Sequence, residues 1–376
     1  SFLFYMPLPI DGWSLAILIP TNEALKGVNA LMRNTLLIGL CGFVFLSVGT
    51  IFVVRRLTQP VRDLSVATLE IAKGNFNAPL PQTKSSDEVG QLSDSFGFMQ
   101  TSLREYIVDL KETTTQKERI EAELRIARDI QMGILPKLFP AFPDHDEFDI
   151  YASLESAKEV GGDLYDFFFI DDHHFCFLVG DVSGKGVPAA FFMAVTKTLI
   201  KVIAERELQP DVILAKVNND LAEDNESCMF VTLFLAVIDI RIGEVIYSSA
   251  GHNPPLLLTA NEVAFMVPGN EPVAGAMPGV KYTSGKLTLA SGDTMFLYTD
   301  GVTEAMNHEQ KLYSEQRLLN LLTATTQRAA TDIIHQVNRS IIEFASGAEQ
   351  SDDITMLALT YTGGNNPPPR SDNDAI

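Results

Sequence analysis

Residues 175–190 read FCFLVGDVSGKGVPAA. The apolar run from Phe175 to Gly180, closed by a glycine, has the length and composition of a buried strand. Asp181 therefore stands at a strand end, and Gly184 and Gly186 mark a tight loop before the next element. That element, Ala189 to Ile203, carries Phe191, Phe192, Val195, Leu199 and Val202 at helical spacing and reads as core packing. Working outward, strand signatures recur at Phe148–Leu154, Met229–Ile240, Val245–Ser249, Pro255–Leu258, Thr294–Tyr298 and Ile354–Thr360. Helical segments interrupt them at about 187–206, 210–223, 314–324 and 330–345. Consecutive strands without regular helical crossovers predict an antiparallel α+β layered domain over 140–361 in preference to a doubly wound one.

Three further acidic sites share the setting of Asp181, each beside glycine or at the end of an apolar run. They are Gly161-Gly162-Asp163-Leu164-Tyr165-Asp166, Tyr298-Thr299-Asp300-Gly301 and Ser351-Asp352-Asp353-Ile354-Thr355. One such carboxylate is an ordinary turn or helix cap; four in one domain call for a joint cause. A hard-cation site supplies it, because Mg²⁺ and Mn²⁺ prefer oxygen ligands and retain water. Two ions about 3.5–4 Å apart need a bridging carboxylate, outer carboxylates and a shared water. Histidine chemistry fits less well, since the 6 histidines form no HExxH or HxH pattern. Cys41, Cys176 and Cys228 form no CxxC pair and none has an arginine six positions on, which excludes a thiolate zinc site and a Cys-x5-Arg phosphate loop.

The ordered set GGDxYD, GDVSGKGxxAA, GHNPP, LYTDGxxE and SDDIT resembles the metal-dependent protein phosphatases of type 2C, in their bacterial sporulation and stress-response branch. The resemblance covers about residues 125–361 and implies an α+β fold, an antiparallel β-sandwich flanked by helices. Ile126 to Leu138 is similar to the regulatory helix that precedes this domain in membrane and stress-signalling members. The resemblance implies two Mn²⁺ or Mg²⁺ ions, with Asp181 bridging them and the Val182 carbonyl on the second. It puts Asp163 by the first ion, directly or through water, and Asp300 and Asp352 in the outer ligation. Asp353 is then a supporting partner of Asp352, with the choice between these neighbours open by one residue. The implied reaction is hydrolysis of a phosphoserine or phosphothreonine monoester by a metal-activated water, without a phospho-enzyme. Relatives in this branch act on phosphorylated anti-sigma factor antagonists, which makes that the expected substrate class.

Larger members use an arginine for the phosphate. None lies near Asp163; Lys158 and Lys185 are the alternatives, against a reading of both as solvated surface lysines. This gap sustains a second function, a pseudophosphatase that binds its partner without turnover. His252 reads as a loop-shaping residue in preference to an acid catalyst. Ser183 has glycine neighbours but no GxSxG elbow.

Upstream, Asn34–Val54 is uncharged for 21 residues, enough for a hydrocarbon core of about 30 Å. Arg55, Arg56 and Arg62 follow it, against Lys26 and Arg33 before it, so the C-terminal side is expected in the cytoplasm of a single-pass inner-membrane protein. Residues 1–33 resemble the end of an extracytoplasmic Cache-type sensor. Residues 55–107 resemble a HAMP domain, with Pro60 just inside a first helix and Asp87-Glu88-Val89-Gly90 opening a second. A 3-4 spacing then runs from Val89 through Leu92, Met99, Tyr106 and Leu110 to Leu124, Ala127, Gln131 and Ile134, the seam of a coiled coil over 108–139. It predicts a parallel homodimer. Pro136 ends this helix, and 362–376 reads as a disordered tail.

The formal net charge of −20 argues against nucleic acid as a partner, because binding it requires clustered Lys and Arg. No phospho-acceptor histidine lies within 105–135, which sets aside a histidine kinase. A chemoreceptor-like rod would not end in a long β-rich domain.

Overall fold

The computed structural model describes residues 1–10, 12–81, 87–267, 269, 271–326 and 329–363. Apart from Thr362 and Gly363, the expected tail lies outside them. The chain divides into two compact units, Ser1–Gln116 and Lys117–Ile376.

In the first unit, β1 (Phe2–Pro7) pairs antiparallel with β2 (Ser14–Ile19), so the strand-like stretch before Pro20 has a partner that its composition did not announce. After α1 (Thr21–Ala24), α2 runs unbroken from Lys26 to Ala72. Its apolar part has a mean hydropathy of 2.5 over 18 residues with none of that window buried, long and apolar enough to cross a membrane. Pro60 does not open a new helix, as the sequence suggested; it lies inside α2. Proline removes one hydrogen bond to the carbonyl four residues back, and Arg56 is exposed, so water can satisfy that oxygen. The helix stops where Gly74 takes φ +92°, a value glycine tolerates.

The segment after it is tied to α3 (Glu88–Ile134): Ser93 Oγ donates to the Pro81 carbonyl, the Gln100 side chain to that of Ala78 and Arg104 to that of Phe76. Asp87 Oδ1 accepts from the amides of Val89 and Gly90 and caps α3. Leu92, Met99 and Tyr106 of the expected seam stay exposed within the single chain.

The second unit holds β3 (Phe148–Glu155), β4 (Leu164–Phe169), β5 (His174–Val182), α4 (Val187–Ala204), α5 (Pro210–Ala222), β6 (Val231–Asp239) and β7 (Glu244–Ala250). They are followed by β8 (Leu256–Leu258), β9 (Val263–Phe265), β10 (Gly285–Thr288), β11 (Thr294–Tyr298), α6 (Asp300–Thr303), α7 (Glu315–Ala324), α8 (Ala330–Ala345) and β12 (Ile354–Tyr361). Two five-stranded sheets form, in the orders β10-β7-β6-β5-β4 and β3-β12-β11-β8-β9, with antiparallel neighbours throughout.

Strand alternation sorts the core. Leu357 and Leu359 of β12 and Met295 and Leu297 of β11 join one cluster with β4, β5, β6, α4 and α5. Their neighbours Met356, Ala358, Phe296 and Tyr298 join another with α7 and α8. Side chains on a strand point alternately to opposite faces, so this sheet is covered on both, and β12 is buried at all 8 positions. The expected antiparallel sandwich with flanking helices is the architecture present. Strands β4, β9 and β10 were not foreseen. In α4 the window of hydropathy 1.6 is 33% buried, and Ala189, Met193, Thr196 and Ile200 form its inner face.

Candidate active site

Antiparallel register brings the four acidic motifs to one end of the sandwich. Leu164 opposes Gly180 between β4 and β5, which sets Asp163 across from Asp181. Tyr298 opposes Met356 between β11 and β12, so the residues just beyond, Thr299 and Asp300, meet Asp352, Asp353 and Thr355. The two sheets join through side chains at this end: Asp163 Oδ2 accepts from Thr299 Oγ1 at 2.8 Å and Thr355 Oγ1 at 2.5 Å.

The five carboxylates fall into two groups. Asp163 and Asp353 form the floor, 2% and 7% exposed. Asp353 accepts from the amide of Ala157 through Oδ1 and from that of Gly162 through Oδ2, both at 2.9 Å. Asp181, Asp300 and Asp352 form a partly exposed rim. Asp352 Oδ1 accepts from the following amide at 3.0 Å, and its Oδ2 lies 3.0 Å from Lys185 Nζ. Lys185 also donates to the Ser351 carbonyl at 2.7 Å.

Three glycines make this crowding possible. A Cβ on Gly161 would lie 1.9 Å from Asp353 Oδ2, one on Gly162 2.8 Å from the Val182 carbonyl oxygen, and one on Gly301 1.9 Å from the Asp353 carbonyl oxygen. Gly184 and Gly186 take positive φ in the loop carrying Lys185.

Charge is concentrated here. Burial, then the charge of Asp181, raises the Asp163 carboxyl well above its usual range. Burial and the charge of Asp300 push Asp181 up to about 7. Asp300 is raised by burial, then by Glu304 and Asp352. A cluster of carboxylates that resist ionising together is a cation-binding environment. Among the described residues no three His, Cys, Asp or Glu side chains converge tightly enough to enclose an ion by themselves. An all-oxygen donor set on an open rim, with the Val182 carbonyl behind Gly162, fits Mg²⁺ or Mn²⁺, which keep several waters, and does not fit a closed zinc site.

Other residues singled out in the sequence lie around this centre. Ser183 Oγ accepts from the Phe230 amide at 2.9 Å, a fastening between β5 and β6. His252, 6% exposed, holds Nδ1 2.8 Å from Thr232 Oγ1, and Thr232 is the register partner of Asp181. Burial lowers its pKa to about 4, so the ring is neutral at pH 7. Asp166 pairs with Lys197 at 2.6 Å and binds β4 to α4.

Thr299 and Thr355 escape the sequence reading although both stand inside quoted motifs, because neither carries a charge and their partner Asp163 is distant along the chain. That reading also assigns Gln131 to a coiled-coil seam. In the structure Gln131 is 5% exposed and its side-chain amide pairs with the backbone of Gly161.

Residues 171–362 match the family model of Stage II sporulation protein E, and residues 52–105 match that of the HAMP domain. Protein IcfG of Synechocystis is 32% identical over 82% of this chain and 52% of its own length. The phosphoserine phosphatase RsbU of Bacillus subtilis is 26% identical over 65% of this chain and 71% of its own. This chain thus spans about half of IcfG. Among solved structures, the SiaA-PP2C domain of Pseudomonas aeruginosa superposes with a TM-score of 0.56 at 21% identity, covering 65% of this chain and 98% of that domain, which shows a common fold. With the ordered acidic motifs, the antiparallel sandwich and the upstream HAMP match, the chain belongs to the Stage II sporulation protein E family, of the PP2C phosphatase fold.

Proposed function

We propose that this chain is a membrane-anchored, signal-regulated phosphatase that hydrolyses phosphoserine or phosphothreonine in a protein substrate. The observation that carries the reading is the gathering of five carboxylates at one end of the sandwich, with Asp163 and Asp353 buried on donors from distant segments and Asp181, Asp300 and Asp352 partly exposed at the rim. In this proposal Asp181, the Val182 carbonyl, Asp300 and Asp352 hold two Mn²⁺ or Mg²⁺ ions and Asp163 supports the first. Asp353, with both oxygens engaged by amides, orients Asp352 and the glycine loop. Two such ions, when bound, acidify a water nucleophile and neutralise phosphoryl charge. The chain's own contribution is to hold acceptors at fixed separations and present an open face to the phosphate.

The name of RsbU supports phosphoserine as the target, and the substrate class proposed is a phosphorylated anti-sigma factor antagonist. The apolar part of α2 and the HAMP match support one membrane pass with the catalytic unit cytoplasmic, and the exposed Leu92, Met99 and Tyr106 support a parallel homodimer. The test is phosphate release from a phosphoserine-bearing antagonist protein by the full chain in detergent, with Mn²⁺ and with chelator, beside Asp181→Asn. Metal-dependent release abolished in the variant supports the reading. Tight substrate binding with no release under any metal condition would favour a partner-binding pseudophosphatase.

A further inference from the structure

We infer that Gln131 is a positioning residue for the acidic centre, the contact through which the last turns of α3 set the Gly161-Gly162-Asp163 loop. This rests on the proposed function and names a control point for that same site. Gln131 Nε2 donates to the Gly161 carbonyl at 2.8 Å and its Oε1 accepts from the Gly161 amide at 3.2 Å, so one side-chain amide satisfies both backbone groups of one residue. Gly161 is itself pressed against Asp353, and the next amide, Gly162, donates to Asp353 Oδ2. Asp163 follows directly. Polar contact thus runs from α3 through the glycine loop to Asp353, and the chain itself carries the loop on to Asp163.

The chemistry of this contact is restrictive. It needs a donor and an acceptor side by side on a stem long enough to reach from a helix, which only glutamine supplies. A carboxylate would set an oxygen against the Gly161 carbonyl, and an apolar side chain would leave two buried backbone groups unpaired. Leu135, one turn on, is 3% exposed in the main core, and Tyr165 Oη donates to the Pro136 carbonyl at 2.6 Å. The end of α3 is therefore anchored near Gln131, so a shift or rotation of the helix there reaches the loop through the amide pair. Residues that orient metal ligands typically change metal affinity about 10–100-fold when altered.

The experiment compares the full chain in detergent micelles with Gln131→Glu, Gln131→Leu and, as a control for general loosening, Tyr165→Phe. Mn²⁺ affinity is read by calorimetry and backbone protection at 161–163 by hydrogen exchange, neither of which depends on turnover. Expected is a loss of Mn²⁺ affinity of about 10–100-fold in both Gln131 variants, with protection lost at 161–163. The activity defect should be recovered at saturating Mn²⁺, whereas Tyr165→Phe lowers thermal stability and leaves Mn²⁺ affinity unchanged. Unchanged affinity and protection in folded Gln131→Glu overturns the inference even if the chain proves to be a phosphatase. Equal losses of affinity in Tyr165→Phe also overturn it, because general loosening then suffices. An Asp181→Asn arm that keeps full turnover instead sinks the proposed function, separately from either result.

Discussion

The floor and the rim of the acidic centre use the same side chain for opposite ends. On the floor, Asp163 accepts from two threonine hydroxyls and Asp353 from two backbone amides. On the rim, Asp352 shares its outer oxygen with Lys185, and Asp181 meets mainly other carboxylates. Fixed donors orient a buried carboxylate; where carboxylates face one another, as Asp163 and Asp181 do, ionisation costs more and a bound cation is favoured. Adjacent residues 352 and 353 differ in exposure: Asp353 is buried on the amides of Ala157 and Gly162, and Asp352 is partly exposed beside Lys185.

Substitutions can break the comparison. The largest effect is expected for Asp181→Asn, which should lower phosphate release by about 10³-fold or more, because losing the central acceptor forfeits several kcal/mol of transition-state stabilisation. Phosphate release under saturating Mn²⁺ measures it; a loss below ten-fold would remove Asp181 from the proposed chemistry. Asp353→Ala should act on folding instead. It leaves the Ala157 and Gly162 amides without their acceptor, at about 2–4 kcal/mol, read by denaturant unfolding. Asp352→Asn should leave stability within about 0.5 kcal/mol and weaken Mn²⁺ binding about ten-fold; the reverse pattern would exchange the roles of the two neighbours.

A subtler test uses pH. Asp181 is raised to about 7 in the folded protein, so without metal the fold binds a proton that the unfolded chain releases near 3.8. Its contribution to stability is complete below the unfolded value and is lost as pH rises through about 7. Chelator-treated protein should therefore lose stability relative to Asp181→Asn between about pH 4 and 7. Added Mn²⁺ should cancel the difference at neutral pH, and parallel stability profiles for the two proteins would contradict the shift. The smallest effect is expected for Lys185→Met: stability within about 0.5 kcal/mol, since the pair is partly exposed, with modestly tighter Mn²⁺ binding.

Much of this could be read from the residues. The strand-end aspartates, the glycines beside them and the apolar runs that become β11 and β12 are local patterns, and local patterns survive in sequence. What escaped was defined by partners distant along the chain. Thr299 and Thr355 matter because they converge on Asp163 across 136 and 192 residues. Gln131 keeps the heptad spacing of a seam, yet it is buried on Gly161.

Hydropathy shows the same limit. The apolar windows of α2 and α4 both pass as membrane spans by length and composition, but the first is wholly unburied and the second packs Met193 and Ile200 into a soluble core. Sequence by itself determined most of the longer strands and helices, their antiparallel layering, the acidic motifs and the family they resemble, because period, glycine position and charge act within a few residues. Only the tertiary structure decided which carboxylates are buried and which stay partly exposed, and that Gln131 of α3 is buried on Gly161. Those outcomes depend on register between strands and on contacts between residues distant along the chain, and no local pattern encodes them.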